Sequence, residues 1–255
     1  MGRPAYLLEP EGPMPYLEAW DLQRSLAGAV ARGELPDTVV LLEHAPVITL
    51  GRRTEEGELH VPAGAEVEIV ETDRGGKSTY HGPGQLVCYP IFDLTRHGQD
   101  VKRYCRDLEE ALIRTLAPLG VEATRIEGLT GIWLQATSLA MSPEGRTGFA
   151  GAADRFLPPR KIASIGIHIS RWVTTHGYAL NVDLDPAPFT DWITACGLED
   201  TTFTTLAREL GRAVSVDEVR PHAVAALEDV FDLTLEPLPV DARSVPVEIQ
   251  TAGAH

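Results

Sequence analysis

Short apolar segments of strand character outnumber the helical patterns along this chain, and the two kinds alternate unequally. An unequal alternation of strands and helices favours an α+β domain. The pattern therefore predicts a mixed or antiparallel sheet flanked by helices. With 255 residues and 44% hydrophobic content, the chain is long enough to bury the core of one domain.

Four segments have the apolar spacing that is typical of amphipathic helices. They are residues 16–32, the segment after Asp100, residues 202–210, and the segment after Ser215. Asp100 can cap the second helix, and Ser215 with Glu218 forms a capping-box pattern before the fourth. Cys105 lies on the apolar stripe of the second helix, so we expect it to pack in the core.

Eight short segments rich in branched and aromatic residues are typical of strands. They are residues 38–42, 47–50, 67–72, 85–92, 131–134, 162–169, 178–182 and 233–235. The first two segments are separated by residues 43–46, which include His44, Ala45 and Pro46. We therefore expect these two strands to lie around a turn.

The chain reads as a single domain over residues 1–238. Residues 135–160 have no convincing apolar period and contain several glycines and prolines, which indicates a surface insertion. The tail at residues 239–255 begins with Pro239 and contains Pro246, so we expect it to be loosely held.

The formal net charge of −15 argues against nucleic acid as a partner, because phosphate-backbone binding needs a basic surface. No run of about 18 apolar residues predicts a membrane span. Residues 1–15 also lack the basic and then apolar pattern of a signal peptide. We therefore expect a cytoplasmic protein that binds neither nucleic acid nor membrane.

Three cysteines, Cys88, Cys105 and Cys196, are an odd number at irregular spacing. This fits neither a disulfide framework nor a tetrahedral zinc site. Cys88 lies in a predicted strand and is assigned, like Cys105, to the core. The neighbours of Cys196 form no apolar stripe, which favours a reactive thiol, although free cysteines are most often buried in cores.

Lysine occurs at only three of the 22 basic positions, Lys77, Lys102 and Lys161, and the others are arginine. An amine can lose its proton, whereas a guanidinium stays charged. A lysine in so arginine-rich a chain therefore invites a chemical role. Chance retention of a solvated surface charge is the plainer interpretation for any one of them.

Residues 74–85 (RGGKSTYHGPGQ) are the most unusual stretch, with four glycines in twelve residues between two predicted strands. The backbone of such a loop can approach a ligand closely, although a tight connection between strands is the plainer interpretation. Gly76, Lys77 and Ser78 imitate the end of a nucleotide-binding P-loop. That motif requires glycine where this chain has Glu71, so a P-loop is excluded.

Several separated motifs, in this order, closely resemble the lipoyl(octanoyl) transferase family. They are residues 41–52 (LLEHAPVITLGR), the glycine-rich residues 74–85, residues 160–166 (RKIASIG) with 176–182 (HGYALNV), and residues 195–198 (ACGL). The resemblance runs from about residue 16 to about residue 210, and the order of the motifs makes it specific. One departure is Ala195, where the family usually has proline.

The resemblance implies the fold shared by biotin and lipoate protein ligases. It also implies an acyltransferase that moves an octanoyl or lipoyl group from acyl carrier protein to a lysine of lipoyl domains. The implied acceptors are the lipoyl domains of 2-oxoacid dehydrogenase complexes and the glycine cleavage H protein. No cofactor is expected, because a thioester donor needs neither ATP nor a metal.

The resemblance implies two catalytic residues, Cys196 as the nucleophile that forms a thioester intermediate and Lys161 as its partner. The implied substrate-binding residues are Arg74, Gly75, Gly76, Lys77, Ser78, Thr79, Tyr80, His81, Ser164, Ile165, Gly166, Gly177, Tyr178 and Ala179. Because Lys161 and Cys196 are far apart in the sequence, only the fold can bring them together.

Two alternative functions stay open at this point. One is an ATP-dependent lipoate or biotin ligase on the same fold, and the other is a module that docks lipoyl domains without catalysis. His81 and His176 are interpreted as pocket lining, because their spacing does not favour a metal site. Acidic partner proteins would require a local basic patch. Its candidates, against plain solvated arginines, are Arg52, Arg53, Arg74, Lys77, Lys102, Arg103 and Arg160.

Overall fold

The computed structural model describes residues 2–135, 159–194 and 202–239. The α-helices of these ranges are α1 (Tyr16–Ala31), α2 (Val101–Leu116), α3 (Leu206–Leu210) and α4 (Val216–Phe231). The strands of the same ranges are β1 (Arg3–Leu8), β2 (Pro13–Met14), β3 (Thr38–His44), β4 (Val47–Leu50), β5 (Glu68–Glu71), β6 (Thr79–His81), β7 (Gln85–Ile91), β8 (Thr124–Ile126), β9 (Leu129–Leu134), β10 (Arg160–Ser170), β11 (Val173–Asn181), β12 (Thr202–Phe203) and β13 (Leu233–Pro237). Within them, none of the helices combines the length and the apolar character that crossing a membrane requires.

Most of these strands form one large mixed sheet. Its order is β13-β1-β3-β7-β11-β10-β9-β8, with β2 beside β3 and β12 beside β10. The β13–β1 and β1–β3 pairs are parallel, and the pairs from β3 across to β8 are antiparallel. Strands β5, β4 and β6 form a second, smaller sheet. The predicted α+β fold with a mixed sheet is therefore confirmed.

Helices pack on both faces of the large sheet. On one face, Leu108 and Leu112 of α2 and Leu227 of α4 are fully buried in the main core. On the other face, Leu26 and Ala29 of α1 pack against the middle strands. Apolar residues on α2 recur every three or four positions, so that one stripe of the helix faces the sheet.

The starts of two helices follow from their capping residues. The Asp100 carboxylate accepts a hydrogen bond from the N–H of Arg103 at 3.0 Å, and α2 begins at Val101, directly after Asp100. Likewise, the Ser215 hydroxyl accepts from the N–H of Glu218 at 3.2 Å before α4. These side chains satisfy N–H groups that have no partner within the first turn. Both predicted caps are confirmed.

Two strands, β3 and β4, flank a bend at residues 45–46, as expected, but they do not pair with each other. Strand β3 belongs to the large sheet and β4 to the small one. His44 is buried, and its ring is hydrogen-bonded to the Met14 carbonyl oxygen at 2.9 Å and to the Tyr89 hydroxyl at 2.6 Å. This histidine anchors the chain where it passes from one sheet to the other.

The helix predicted over residues 202–210 is only partly correct. Residues Thr202–Phe203 form β12 beside β10, and α3 begins at Leu206. The Thr205 hydroxyl accepts a hydrogen bond from the N–H of Arg208 at 3.2 Å and caps α3. The β-branched and aromatic side chains before this cap favour an extended backbone.

The predictions about domain organisation stay predictions. Residues 136–158, which are most of the proposed insertion at 135–160, lie outside the described residues. Residues 240–255 of the proposed tail also lie outside them. Leu238, just before that tail, is buried and its N–H donates to the Leu7 carbonyl oxygen at 2.8 Å. The last described residues are therefore attached to the edge of the large sheet.

Candidate active site

A cavity of about 390 Å³ is lined in part by residues from the face of the large sheet that carries α1, and Cys105 of α2 also contributes to its lining. Its walls include Tyr16 at the start of α1, together with Val87, Tyr89 and Ala179 on β7 and β11. The last three belong to the core that packs under α1. The volume lies in the range of small-ligand sites, about 300–1,000 Å³.

Predicted site residues from separate parts of the chain line this cavity. They are residues 74–79 and His81, Lys161 and residues 164–166 on β10, and residues 177–179 on β11. Tyr80 is not part of the lining, because its ring packs edge-on against Phe189 and Trp192 at centroid distances of 5.8 and 6.0 Å. Successive side chains of a strand point to opposite sides, which explains why Tyr80 faces away from its neighbours.

Arg74 holds the glycine-rich segment in shape. Its buried guanidinium donates to the carbonyl oxygen of Thr49 at 2.7 Å and to the carbonyl oxygen of Lys77 at 2.8 Å. The N–H of Gly75 donates to the carbonyl oxygen of Ile167 on β10 at 2.9 Å. These bonds place the backbone of the segment directly over β10 and so close one side of the cavity.

Small residues form the floor of the cavity. Across β10 and β11, Ser164 pairs with Ala179 and Gly166 pairs with Gly177. A Cβ on Gly166 would lie 3.0 Å from the Gly75 carbonyl oxygen, and one on Gly177 would lie 2.2 Å from the backbone of β7. Both glycines are therefore required by close backbone approach.

Lys161 is 4% exposed and lines the cavity. It pairs with Trp133 across β10 and β9, and its Nζ lies 5.2 Å from the centroid of the Trp133 ring. An ammonium at this distance from an aromatic face is attracted to it. A Cβ on Gly131 would lie 2.8 Å from the Lys161 Cε, and Gly131 has a φ of 110°. Trp133 and Gly131 were not predicted as site residues, because their contact with Lys161 depends on strand register.

Cys196 lies outside the described residues, which stop at Thr194 and resume with β12. The Thr194 N–H donates to the Glu58 carbonyl oxygen at 2.9 Å, and the Glu58 carboxylate contacts the ammonium of Lys77. On the other side, β12 pairs with the part of β10 that carries Lys161. The described residues that flank the Cys196 segment are therefore attached to the cavity walls.

Imidazole and phenol groups form a hydrogen-bonded part of the wall. His176 Nε2 lies 2.8 Å from the Asp73 carboxylate, so this nitrogen carries the proton and Nδ1 accepts from the Tyr16 hydroxyl at 3.3 Å. His81 Nδ1 lies 2.7 Å from the Gln85 side-chain oxygen and donates a hydrogen bond to it. Within the described ranges, these imidazoles belong to no group of three side chains that could hold a metal ion.

Burial keeps these imidazoles neutral. It lowers the pKa of His44 to about 4, and burial together with the nearby His44 lowers the pKa of His81 well below its ordinary value. Burial also lowers the pKa of His176, although its hydrogen bond to Asp73 opposes this effect. Neutral rings whose polar atoms bond to neighbours present carbon atoms to the cavity, so this wall is less polar than its residue types indicate.

The two described cysteines are poor nucleophile candidates. Cys88 is fully buried, as predicted, and burial raises the pKa of its thiol. The prediction that Cys105 packs in the core is wrong, because it is half-buried and lines the cavity. It lies at the edge of the buried stripe of α2, one position after the buried Tyr104. Burial and the neighbouring Glu109 raise the pKa of the Cys105 thiol.

The basic residues predicted as a docking patch divide into two groups. Four of them contact other groups of the protein through hydrogen bonds or ion pairs, namely Arg74, Lys77, Arg103 and Arg160. Arg52, Arg53 and Lys102 are exposed, and Arg53 also lines the cavity. Of these three exposed residues, Arg53 lines the cavity and Arg52 is next to it in the sequence.

The chain matches the sequence profile of the lipoyl protein ligase A/B catalytic domain over residues 15–228. It is 45% identical to an octanoyltransferase of Chloroflexus aurantiacus over 227 residues, which are 87% of this chain and 92% of that protein. It is 47% identical to an octanoyltransferase of Mycobacterium marinum over 227 residues, 87% of this chain and 86% of the relative.

Solved structures share the fold at low identity. A bi-partite lipoate protein ligase from Thermoplasma acidophilum has a TM-score of 0.61 at 16% identity, over 96% of this chain and 90% of its own. Lipoate-protein ligase A bound with ATP has a TM-score of 0.63 at 15% identity, over 96% and 92%. The fold expected from the resemblance is confirmed by these structures, and the family by the profile and the relatives. The chain belongs to the lipoyl protein ligase A/B catalytic domain family and, within it, to the octanoyltransferases, which are acyltransferases of protein lipoylation.

Proposed function

We propose that this octanoyltransferase takes an octanoyl group from acyl carrier protein, holds it as a thioester on Cys196 and passes it to a lysine of a lipoyl domain. The observation that carries the proposal is the buried side chain of Lys161 on the wall of a cavity with a small-residue floor. Lysine is almost never fully buried without a specific reason. An amine on a cavity wall is placed to reach a bound substrate.

The reaction divides into two exchanges. The Cys196 thiolate attacks the carbonyl carbon of the donor thioester, the donor C–S bond breaks, and the carrier thiolate leaves and takes a proton. The acceptor amine then attacks the enzyme thioester, an amide bond forms, and the Cys196 thiolate leaves while the amine gives up a proton. The first exchange replaces one thioester by another, so no ATP is needed to activate the acyl group.

Lys161 has two roles in this scheme. A free cysteine with a pKa near 8.5 is only about 3% thiolate at pH 7. A nearby ammonium stabilises the thiolate and lowers the thiol pKa. In its neutral form, the same amine accepts the proton of the incoming lysine, which an arginine cannot do.

The place of Cys196 in the scheme rests on its described neighbours. Thr194, the last described residue before Cys196, is hydrogen-bonded to Glu58, which contacts Lys77 of the glycine-rich segment. After Cys196, Phe203 of β12 pairs with Lys161. The raised thiol pKa values of Cys88 and Cys105 oppose a nucleophilic role for either. These observations favour Cys196 over the other two cysteines.

The acyl chain lies between the floor of small residues and the glycine-rich segment. Burial of each methylene contributes about 0.8 kcal/mol, so this slot supplies most of the affinity for the acyl group. We assign the substrate contacts to the lining residues 74–79, His81, 164–166 and 177–179. Tyr80, which faces away from the cavity, supports the glycine-rich segment from behind.

The exposed Arg52 and Arg53 are the proposed contact for an acidic acyl carrier protein. Charge pairs at the edge of an interface mainly speed association and fix orientation. Replacing both arginines with glutamate is expected to raise the KM for octanoyl-acyl carrier protein about tenfold and to change kcat little. Lys102→Glu is the matched control, and an equal rise of KM in that variant would contradict the assignment.

An ATP-dependent ligase on the same fold is the main alternative, since one structural relative is bound with ATP. A ligase forms an acyl-adenylate and needs no cysteine. We expect the wild type to transfer octanoyl groups from acyl carrier protein without ATP, and Cys196→Ala to lose this transfer by more than about 1,000-fold.

The same two proteins decide between the alternatives. Transfer from free octanoate and ATP that survives in Cys196→Ala identifies a ligase and ends the proposal. Binding of a lipoyl domain without any acyl transfer by the wild type identifies a docking module instead.

A further inference from the structure

Three residues form a row across the floor of the cavity. Ser164 on β10 pairs with Ala179 on β11, and Ala179 pairs with Val87 on β7. All three line the cavity. Directly paired residues of neighbouring strands lie on the same face of a sheet. The row therefore crosses the strands, from the strand that carries Lys161 towards the middle of the sheet.

Burial increases along this row. Ser164 is half-buried, Ala179 is 4% exposed and Val87 is 1% exposed. The next residue in the same line is Leu42 of β3, which pairs with Val87 and packs in the core under α1. The cavity lining includes Val87 but not Leu42. The row is therefore open at β10 and closed at β7.

The length of the row matches an eight-carbon chain. Neighbouring strands lie about 4.8 Å apart, so β7 is about 10 Å from β10 across β11. An extended chain advances roughly 1.3 Å for each C–C bond of about 1.5 Å, so eight carbons span about 9 Å. An acyl chain whose first carbon lies at Ser164, three residues along β10 from Lys161, would cross the row and end at Val87.

The residues around the closed end are suited to a methyl group. Tyr16, His81, Tyr89 and His176 also line the cavity and are buried, and Tyr89 lies two residues after Val87 on β7. Their hydrogen bonds run to one another or to residues behind them, as Tyr16 does to His176 and Tyr89 does to His44. Carbon atoms of these rings are therefore left to face the end of an acyl chain.

We propose that Ser164, Ala179 and Val87 form a ruler for the acyl chain and that Val87 contacts its terminal methyl group. This inference rests on the proposed function and adds the residue that limits chain length. Shortening Val87 opens the closed end, and enlarging Ala179 blocks the row one strand earlier. The two changes must therefore shift chain-length preference in opposite directions.

The test compares the kcat/KM for hexanoyl-, octanoyl- and decanoyl-acyl carrier protein. Val87→Ala is expected to raise the decanoyl-to-octanoyl ratio about tenfold, which corresponds to the burial of two further methylenes. Ala179→Val is expected to raise the hexanoyl-to-octanoyl ratio by a similar factor. Val40→Ala is the matched control, because Val40 is a buried valine of the same core that does not line the cavity.

Unchanged ratios in Val87→Ala, or equal changes in Val40→Ala, overturn the ruler. If the wild type transfers octanoyl groups and Cys196→Ala does not, that result leaves the proposed function intact and removes only the ruler. If the wild type transfers none of the three acyl groups, the proposed function fails and the ruler fails with it.

Discussion

The environment of Lys161 allows an amine and leaves little room for anything larger. The ring of Trp133 lies over Nζ, and the missing side chain of Gly131 makes space for Cε. A guanidinium is wider than an ammonium and cannot act as a base. Charge, shape and proton transfer therefore all depend on the lysine itself.

Lys161→Arg is expected to lower octanoyl transfer by at least about 100-fold, because it keeps the charge but removes the base. The rate of transfer to a lipoyl domain is the measurement, with thermal unfolding to show that the variant is folded. Lys102→Arg, on the exposed start of α2, is the matched control and should be fully active. A Lys161→Arg enzyme with more than about a tenth of wild-type activity would contradict the role given to the amine.

Single residues of the site differ in how well the sequence predicts them. Lys161 is predictable because lysine is rare in this chain and because its motif resembles a known family. Trp133 and Gly131 are not, since their relation to Lys161 arises from a bulged register between β9 and β10. The prediction that Cys105 packs in the core fails because this residue lies at the edge of the apolar stripe of α2. A shift of one position along the helix there separates a core residue from one that lines the cavity.

The glycine-rich segment is connected to the chain that leads to Cys196 by an ion pair. The Lys77 ammonium contacts the carboxylate of Glu58 and lies 3.4 Å from that of Glu55. The hydrogen bond with Glu58 raises the pKa of Lys77, so the ammonium stays charged at neutral pH. The backbone of Glu58 in turn holds Thr194, two residues before Cys196.

Reversing one charge of this pair should therefore disturb the site, and reversing both should restore it. Lys77→Glu and Glu58→Lys are each expected to lower kcat about fivefold, and the double variant to recover most of it, since partly exposed pairs contribute about 1 kcal/mol or less. Arg212→Glu breaks the exposed ion pair between Arg212 and Glu218 of α4 and serves as the control. Equal losses in the single and double variants would show that the pair has no positioning role.

Elements with caps or long apolar periods were predictable, and those defined by tertiary pairing were not. Helices α2 and α4 follow from local capping and periodicity. The assignment of β3 and β4 to different sheets does not, because it depends on contacts of buried His44 with Met14 and Tyr89. Strand β12 likewise exists only because β10 lies beside it.

Stability of the whole molecule should depend on pH through its buried histidines. In the unfolded chain a histidine has a pKa near 6.5, whereas burial lowers the folded-state pKa of His44 to about 4. Between these values the unfolded state binds a proton that the folded state excludes. The stabilisation is therefore present above pH 6.5 and is lost as pH falls towards 4.

Urea unfolding at pH 7.5 and pH 5 measures this effect. His44 alone is expected to lower the free energy of unfolding by about 2 kcal/mol at pH 5, and His81 and His176 act in the same direction. His44→Gln should reduce the pH dependence, whereas His222→Gln, at a half-exposed position, should not. A wild-type stability that is equal at the two pH values would contradict the buried neutral histidines.

At the scale of the whole molecule, the α+β class and mixed sheet follow from the unequal alternation of strands and helices, and the family from motifs in a fixed order. The geometry of the site does not follow from the sequence, because it combines a loop after β5 with strands from the second half of the chain. The sheet order brings these parts together. Because they are far apart in the sequence, their contact cannot be predicted from local patterns.

The central claim is that Cys196 carries the acyl group between donor and acceptor. Intact-protein mass spectrometry with peptide mapping, after mixing the enzyme with octanoyl-acyl carrier protein alone, tests it most directly. The account predicts one octanoyl group on Cys196 that disappears when a lipoyl domain is added, and none in Cys196→Ala. Transfer to the lipoyl domain without an acyl group on Cys196, or with the group on another residue, would contradict it.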